Sequence, residues 1–255
     1  MRQALHAEWT KLRTLPGTIW LLLTAAVVTV AIGAGVAAAT TCQAAGCGQD
    51  PARIAFAGIN LSQAVVAVLA VLAVSSEYST GMIRVTLAAM PRRITMLAAK
   101  AITVTALVVT AGAAGVLASA IAGQLILPGH GFTLAHGYQS LSSAADLRAA
   151  AGSVLYLALI GVLATGAAAA LRDGAVAIGA VLGLLYLFPV IAGVLGPGWS
   201  RRLQQIGPMS AGLCIQATTG LRGLPLTPWQ GLGVLALWAA GALALGGLLL
   251  RHRDA

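Results

Sequence analysis

The sequence predicts an all-α membrane protein, a single domain of six transmembrane helices with an interfacial helix before the first and a short helix between the second and third. Three observations predict it. Apolar residues make up 59% of the 255 positions and charged residues 8%, against about 25% charged in a soluble domain. Mean hydropathy is +0.91. The apolar residues fall in long runs with charges at their ends, and each membrane span needs about 20 of them.

Residues 1–16 begin the chain with Leu5, Trp9 and Leu12 on one helical face and Arg2, His6 and Arg13 off it. Such a helix lies in the membrane interface with its tryptophan at headgroup depth; a solvated tail is the other reading. The first span is placed at about 18–39 and carries no charge. It exceeds the ~7–15 apolar residues of a signal-peptide core, so it is expected to be retained. The second span is placed at 54–76, between Arg53 and Glu77, and the third at 101–127, between Lys100 and the Pro128-Gly129 break. The fourth, 149–171, is framed by Arg148 and Arg172. The tight turn Arg172-Asp173-Gly174 makes its successor at 175–195 an antiparallel neighbour. A proline-bearing loop over 197–228 precedes the sixth span at 229–250.

The net charge is +9 and the pI about 10.5. A basic balance can indicate nucleic acid. Here the cations cluster at span ends, which is the bias of cytoplasmic loops instead. With the N-terminus inside, Arg2, Lys11, Arg13, Arg84, Arg92, Arg93, Lys100, Arg172, Arg251 and Arg253 are inner. Arg53, Arg148, Arg201, Arg202 and Arg222 are outer. The count puts both termini in the cytoplasm. Cys42 and Cys47 then face the oxidising side, where they either form a disulfide or stay as two thiols; Cys214 could compete for pairing.

Little points to catalysis in this chain. No His-Glu-x-x-His site, Gly-x-Ser-x-Gly elbow or intramembrane carboxylate pair is present. His6, His130, His136 and His252 lie in loops or tails, so no metal and no cofactor are expected. The two lysines follow Thr10 and Ala99 rather than glycine, so no phosphate-cradling P-loop can form. Polar residues inside spans are few. Asn60, Gln63 and Gln124 either line a translocation path or make interhelical hydrogen bonds, as does Ser62. Gly179 and Gly183 match a small-xxx-small packing pattern of low specificity.

The segment 77–93 carries the most information. Ser79 or Thr80 can cap a short helix that Pro91 ends, with Met82, Ile83 and Leu87 apolar beside Glu77 and Arg84. Such a helix either docks a soluble partner or rests on lipid headgroups.

The run Ser76-Glu77-Tyr78-Ser79-Thr80-Gly81-Met82-Ile83-Arg84, then Pro91-Arg92-Arg93 and Ala98-Ala99-Lys100, resembles the first cytoplasmic loop of ABC-2 type transporter permeases. The opening Glu8-Trp9-Thr10-Lys11-Leu12-Arg13-Thr14 is similar to their interface helix. Pro228-Trp229-Gln230-Gly231 and the Leu250-Arg251-His252-Arg253-Asp254-Ala255 close fit as well. The resemblance implies a permease subunit of an ATP-driven exporter in a bacterial cell membrane. It would pair with a second permease copy, identical or similar, and with a separate ABC ATP-binding subunit. It also implies that Glu77, Tyr78, Thr80, Gly81, Met82 and Arg84 form a coupling helix seated on that ATPase, with Arg172-Asp173-Gly174 as a second contact. A non-transporting immunity or scaffold protein is the rival reading. An intramembrane enzyme is a third, and would need buried catalytic groups.

Overall fold

The computed structural model describes residues 9–10, 16–42, 48–79, 93–132 and 143–252. Among them there is no strand. Nine α-helices follow in order: α1 (Pro16–Ala39), α2 (Pro51–Ala55), α3 (Ile59–Ser79), α4 (Arg93–Ile126), α5 (Ala144–Leu171), α6 (Gly174–Val194), α7 (Pro197–Ile206), α8 (Pro208–Gly212) and α9 (Pro228–His252). Six of them, α1, α3, α4, α5, α6 and α9, are long and apolar enough to cross a bilayer. The protein is therefore an all-α, multi-pass membrane protein. Pro16 and His252 lie at one end of the bundle, here the proximal end; Ala39, Pro51 and Val194 lie at the distal end.

Local chemistry sets the helix starts. Prolines occupy the first position of α2, α7, α8 and α9, where their missing N–H costs nothing. Ser143 and Asp146 form a reciprocal capping box on α5. Asp173 accepts from the Val176 N–H at 2.8 Å to start α6. Between them Arg172 takes a left-handed conformation, φ 60°, and closes α5 with its N–H on Ala168 O.

Helix α5 is the axis of the bundle. It packs against α3, α4, α6 and α9, and Tyr156, Leu157, Ile160 and Leu163 on it are buried. Gly166 lets α9 close on it: a Cβ there would stand 2.5 Å from the backbone of Ala242 and Leu243. With little hydrophobic drive between helices in lipid, such backbone approach is how they gain contact.

Four expectations are corrected. The second span does not begin at 54. Asp50 and Pro51 start a separate short helix, α2, and the chain breaks at 56–58 before α3 begins. The break sits where Gly58 meets α1; a Cβ there would lie 2.1 Å from Thr29 O. The third span does not begin after Lys100. Helix α4 starts at Arg93 and Lys100 is 2% exposed inside it. Arg148 lies in the first turns of α5 rather than outside it, because the Ser143 cap moves the start outward. The 197–228 segment is folded: α7, α8 and 3₁₀ turns at Leu213–Gln216 and Leu221–Gly223 fill it. The remaining span limits lie within three residues of the helix ends.

Candidate functional site

Breaking a helix inside a membrane frees backbone carbonyls that lipid cannot satisfy. The α2–α3 break recruits side chains for this. Ser119 Oγ on α4 donates to Ala55 O at 2.6 Å. Asn60 Nδ2 donates to Ala57 O at 3.0 Å. Asn60 O accepts from Gln63 Nε2 at 2.9 Å and from the Tyr186 hydroxyl on α6 at 2.6 Å. Beside them, Ser62 Oγ donates to Ala25 O at 2.9 Å and pairs with Thr29 Oγ1 at 2.6 Å.

Gln63 is the hub. It is fully buried. Its carbonyl accepts from the Tyr156 hydroxyl on α5, and its Nε2 meets Met209 Sδ on α8 at 3.1 Å. One amide thus joins α3, α5 and α8, with α6 one bond away. Met209 arrives because α8 folds back into the bundle, where Gly212 lies against the Tyr156 ring; a Cβ there would stand 2.6 Å from Cε2. Of the three polar positions proposed for a path, Asn60 and Gln63 therefore meet in this centre. Gln124 stands apart, exposed in the last turn of α4. Tyr156, Tyr186 and Met209 were not singled out from sequence. Two tyrosines in the middle of apolar runs were the available signal, since a buried phenol seeks a partner.

The distal end is knitted by loops. Asp50 caps α2 through the Ala52 N–H and reaches across to the 218–219 backbone, accepting from Thr218 N–H, the Thr218 hydroxyl and Thr219 N–H. Arg148 Nη2 donates to Ala217 O beside it. Cys42 is disulfide-bonded, and its N–H donates to His130 O at 2.9 Å. Cys214 is a free thiol; burial pushes its pKa up, against a lowering pull from Arg53. Cys47 lies outside the described residues.

At the proximal end the two segments proposed for ATPase contact come together. The Arg172 guanidinium carbon stands 5.9 Å from the centre of the Tyr78 ring. Ser75 touches the turn at Gly174, where a Cβ would lie 2.8 Å from its Oγ. Behind them Lys100 lines a small cavity with Val74, Tyr78, Met96 and Leu250. Glu77 is in the last turns of α3. Thr80, Gly81, Met82 and Arg84 lie outside the described residues, as do most of the positions expected to form the interfacial helix and the short helix within 77–93.

A separate cavity of about 650 Å³ lies on the flank of the bundle, between α5, α6 and α9, with α7 at one end. It does not include the Gln63 centre. Compared with known proteins, the chain matches no protein-family model and no curated protein sequence.

Proposed function

We propose that the chain is the membrane-spanning permease subunit of an ATP-driven ABC exporter. It works with a second permease copy, identical or similar, in a bacterial cell membrane, with both termini cytoplasmic. A separate ATP-binding subunit supplies the energy, since this sequence carries no phosphate-cradling loop. One observation carries the reading: Tyr78 and the Arg172-Asp173-Gly174 turn, which the family resemblance marks as ATPase contacts, adjoin at one end of the bundle.

The geometry offers a route for force. Tyr78 and Gln63 are on the same helix, α3, about 22 Å apart at 1.5 Å per residue. Arg172 sits where α5 turns into α6. A partner pressing on this end pushes α3, α5 and α6 at once, the three helices that meet at Gln63, Tyr156 and Tyr186. ATP binding would favour whichever arrangement of these helices fits the closed ATPase better.

The test is a mild-detergent pull-down of wild type beside Glu77→Lys/Arg84→Glu at equal expression, with co-purified ATP hydrolysis measured. The expected result is an ATPase on wild type that is lost from the variant. An empty wild-type pull-down would sink the proposal. Capture without substrate-stimulated turnover in liposomes would favour the immunity or scaffold reading.

A further inference from the structure

Helices α6 and α9 both pack along α5 but scarcely on each other. The gap between them is the flank cavity. Leu163 and Ala167 of α5 form its floor, Ala180 and Leu184 of α6 one wall, and α9 from Val234 to Leu245 the other. These positions lie in the middle of α9 and in the proximal half of α5 and α6. The lining therefore stays within the apolar stretch of the spans and reaches neither end of the bundle. Leu237 and Leu245 at its edge are exposed, so the cavity opens sideways, toward lipid. Its volume of about 650 Å³ falls within the roughly 300–1,000 Å³ of sites for drug-sized molecules.

The cavity is shut on its distal side. The Trp238 indole donates to Ile206 O at 2.9 Å. Its ring meets Phe188 edge-on, with centroids 6.4 Å apart, and Phe188 lies one turn beyond Leu184 toward the distal end of α6. This ring pair bridges α9 and α6 where the helices alone leave a gap. Among the described residues, none that lines the cavity is charged, and the only polar side chains are Trp238 and Gln205. The Trp238 N–H is engaged on Ile206. Gln205 donates through Nε2 to Pro225 O at 3.0 Å, while its Oε1 accepts no hydrogen bond from the described residues. An amide oxygen without a donor is costly beside lipid. The cavity thus offers apolar walls and one open acceptor at its rim.

We propose that this cavity binds an uncharged, lipid-soluble molecule of drug size whose single hydroxyl or N–H group donates to Gln205 Oε1. Its apolar body lies between α6 and α9. A charged ligand is excluded because no counter-charge lines the walls to offset its desolvation. A phospholipid acyl chain would fill the space but bring no donor. The site does not rest on the exporter reading; it needs only the bundle and the bilayer.

The test uses two probes of matched shape, 1-pyrenemethanol and 1-ethylpyrene, of which only the first carries a donor. The full chain is placed in phosphatidylcholine nanodiscs, and energy transfer from tryptophan to pyrene is titrated; Trp238 lies in the cavity wall. Wild type should show saturable transfer at one site per chain, with pyrenemethanol bound about fivefold tighter, the effect of one net hydrogen bond. Gln205→Leu should bind both probes equally. Gly241→Phe, at a position with open space beside it, should lose saturable transfer from both; Ala180→Leu on the facing wall is the second filling variant should the first not fold. Absence of saturable transfer in wild type overturns the proposal, and an acyl chain held too firmly to displace would give that result. A preference that survives Gln205→Leu, or saturable binding that survives in a folded filling variant, overturns it too. So does a wild-type dimer that filling dissociates, since the cavity would then seat a second copy.

Discussion

The two ends of the bundle are built differently. At the distal end, short helices turn back into the protein and hydrogen bonds close the breaks: Asp50 gathers three donors from residues 218–219, and Ser119 reaches the carbonyl left free at Ala55. At the proximal end the Arg172 N–H and the Asp173 carboxylate close one tight turn, with the Tyr78 ring beside Arg172 and Ser75 against Gly174. Lost backbone satisfaction in a membrane is costly, whereas a half-buried ring–cation contact is worth about 1 kcal/mol. The distal end is thus made to stay closed. The proximal end is organised around one tight turn, with Tyr78 and Ser75 packed against it.

The sharpest way to break that contrast is at Gly58. Gly58→Val forces a side chain into Thr29 O, and its loss should exceed the about 1–3 kcal/mol of ordinary core overpacking because backbone must move. Gly179→Val, with open space around it, is the control. Equal thermal midpoints in detergent for the two would mean the distal packing is not rigid.

Next comes the polar hub. Gln63→Leu strands the Tyr156 hydroxyl and should cost about 1–3 kcal/mol. Gln63→Leu/Tyr156→Phe should recover part of that loss, because neither partner is then left unpaired. A double-mutant cycle with no coupling would show that the pair does not hold α3 to α5.

Asp50→Asn should cost about 1–2 kcal/mol, since an amide nitrogen cannot accept from the N–H groups that converge there. Hydrogen exchange should rise at Thr218 and Thr219 while the proximal helix ends stay protected. Uniform deprotection would erase the distinction between ends.

The smallest effect is expected at Tyr78. Tyr78→Leu should cost about 1 kcal/mol, the scale of a half-buried cation–π contact. It should still weaken ATPase capture. A variant that is folded and fully coupled would leave the proximal end without its proposed purpose.

The six spans were legible because each is an apolar run of sufficient length with a charge or proline at its edge. What was not legible depended on contacts between distant residues. Nothing in the run from Ile54 to Ser76 marks a break; the break belongs to the meeting of Gly58 with Thr29, 29 positions earlier in the sequence. Lys100 read as a span edge because a charge in an apolar run reads as water, yet a long stem can be buried while its head finds a partner. The 197–228 segment read as loop for its prolines, but Pro197 and Pro208 start helices there. Asn60 and Gln63 were found as polar residues out of place. Their partners Tyr156, Tyr186 and Met209 were hidden, since only the fold brings them there.

Helix α4 has 34 residues, about 51 Å of rod, and from Ala101 to its end at Ile126 it bears no charge. That uncharged length, about 39 Å, is longer than a ~30 Å hydrocarbon core. Either the helix leans or the bilayer swells around it. In both cases a thicker bilayer would hold it with less distortion than a thin one.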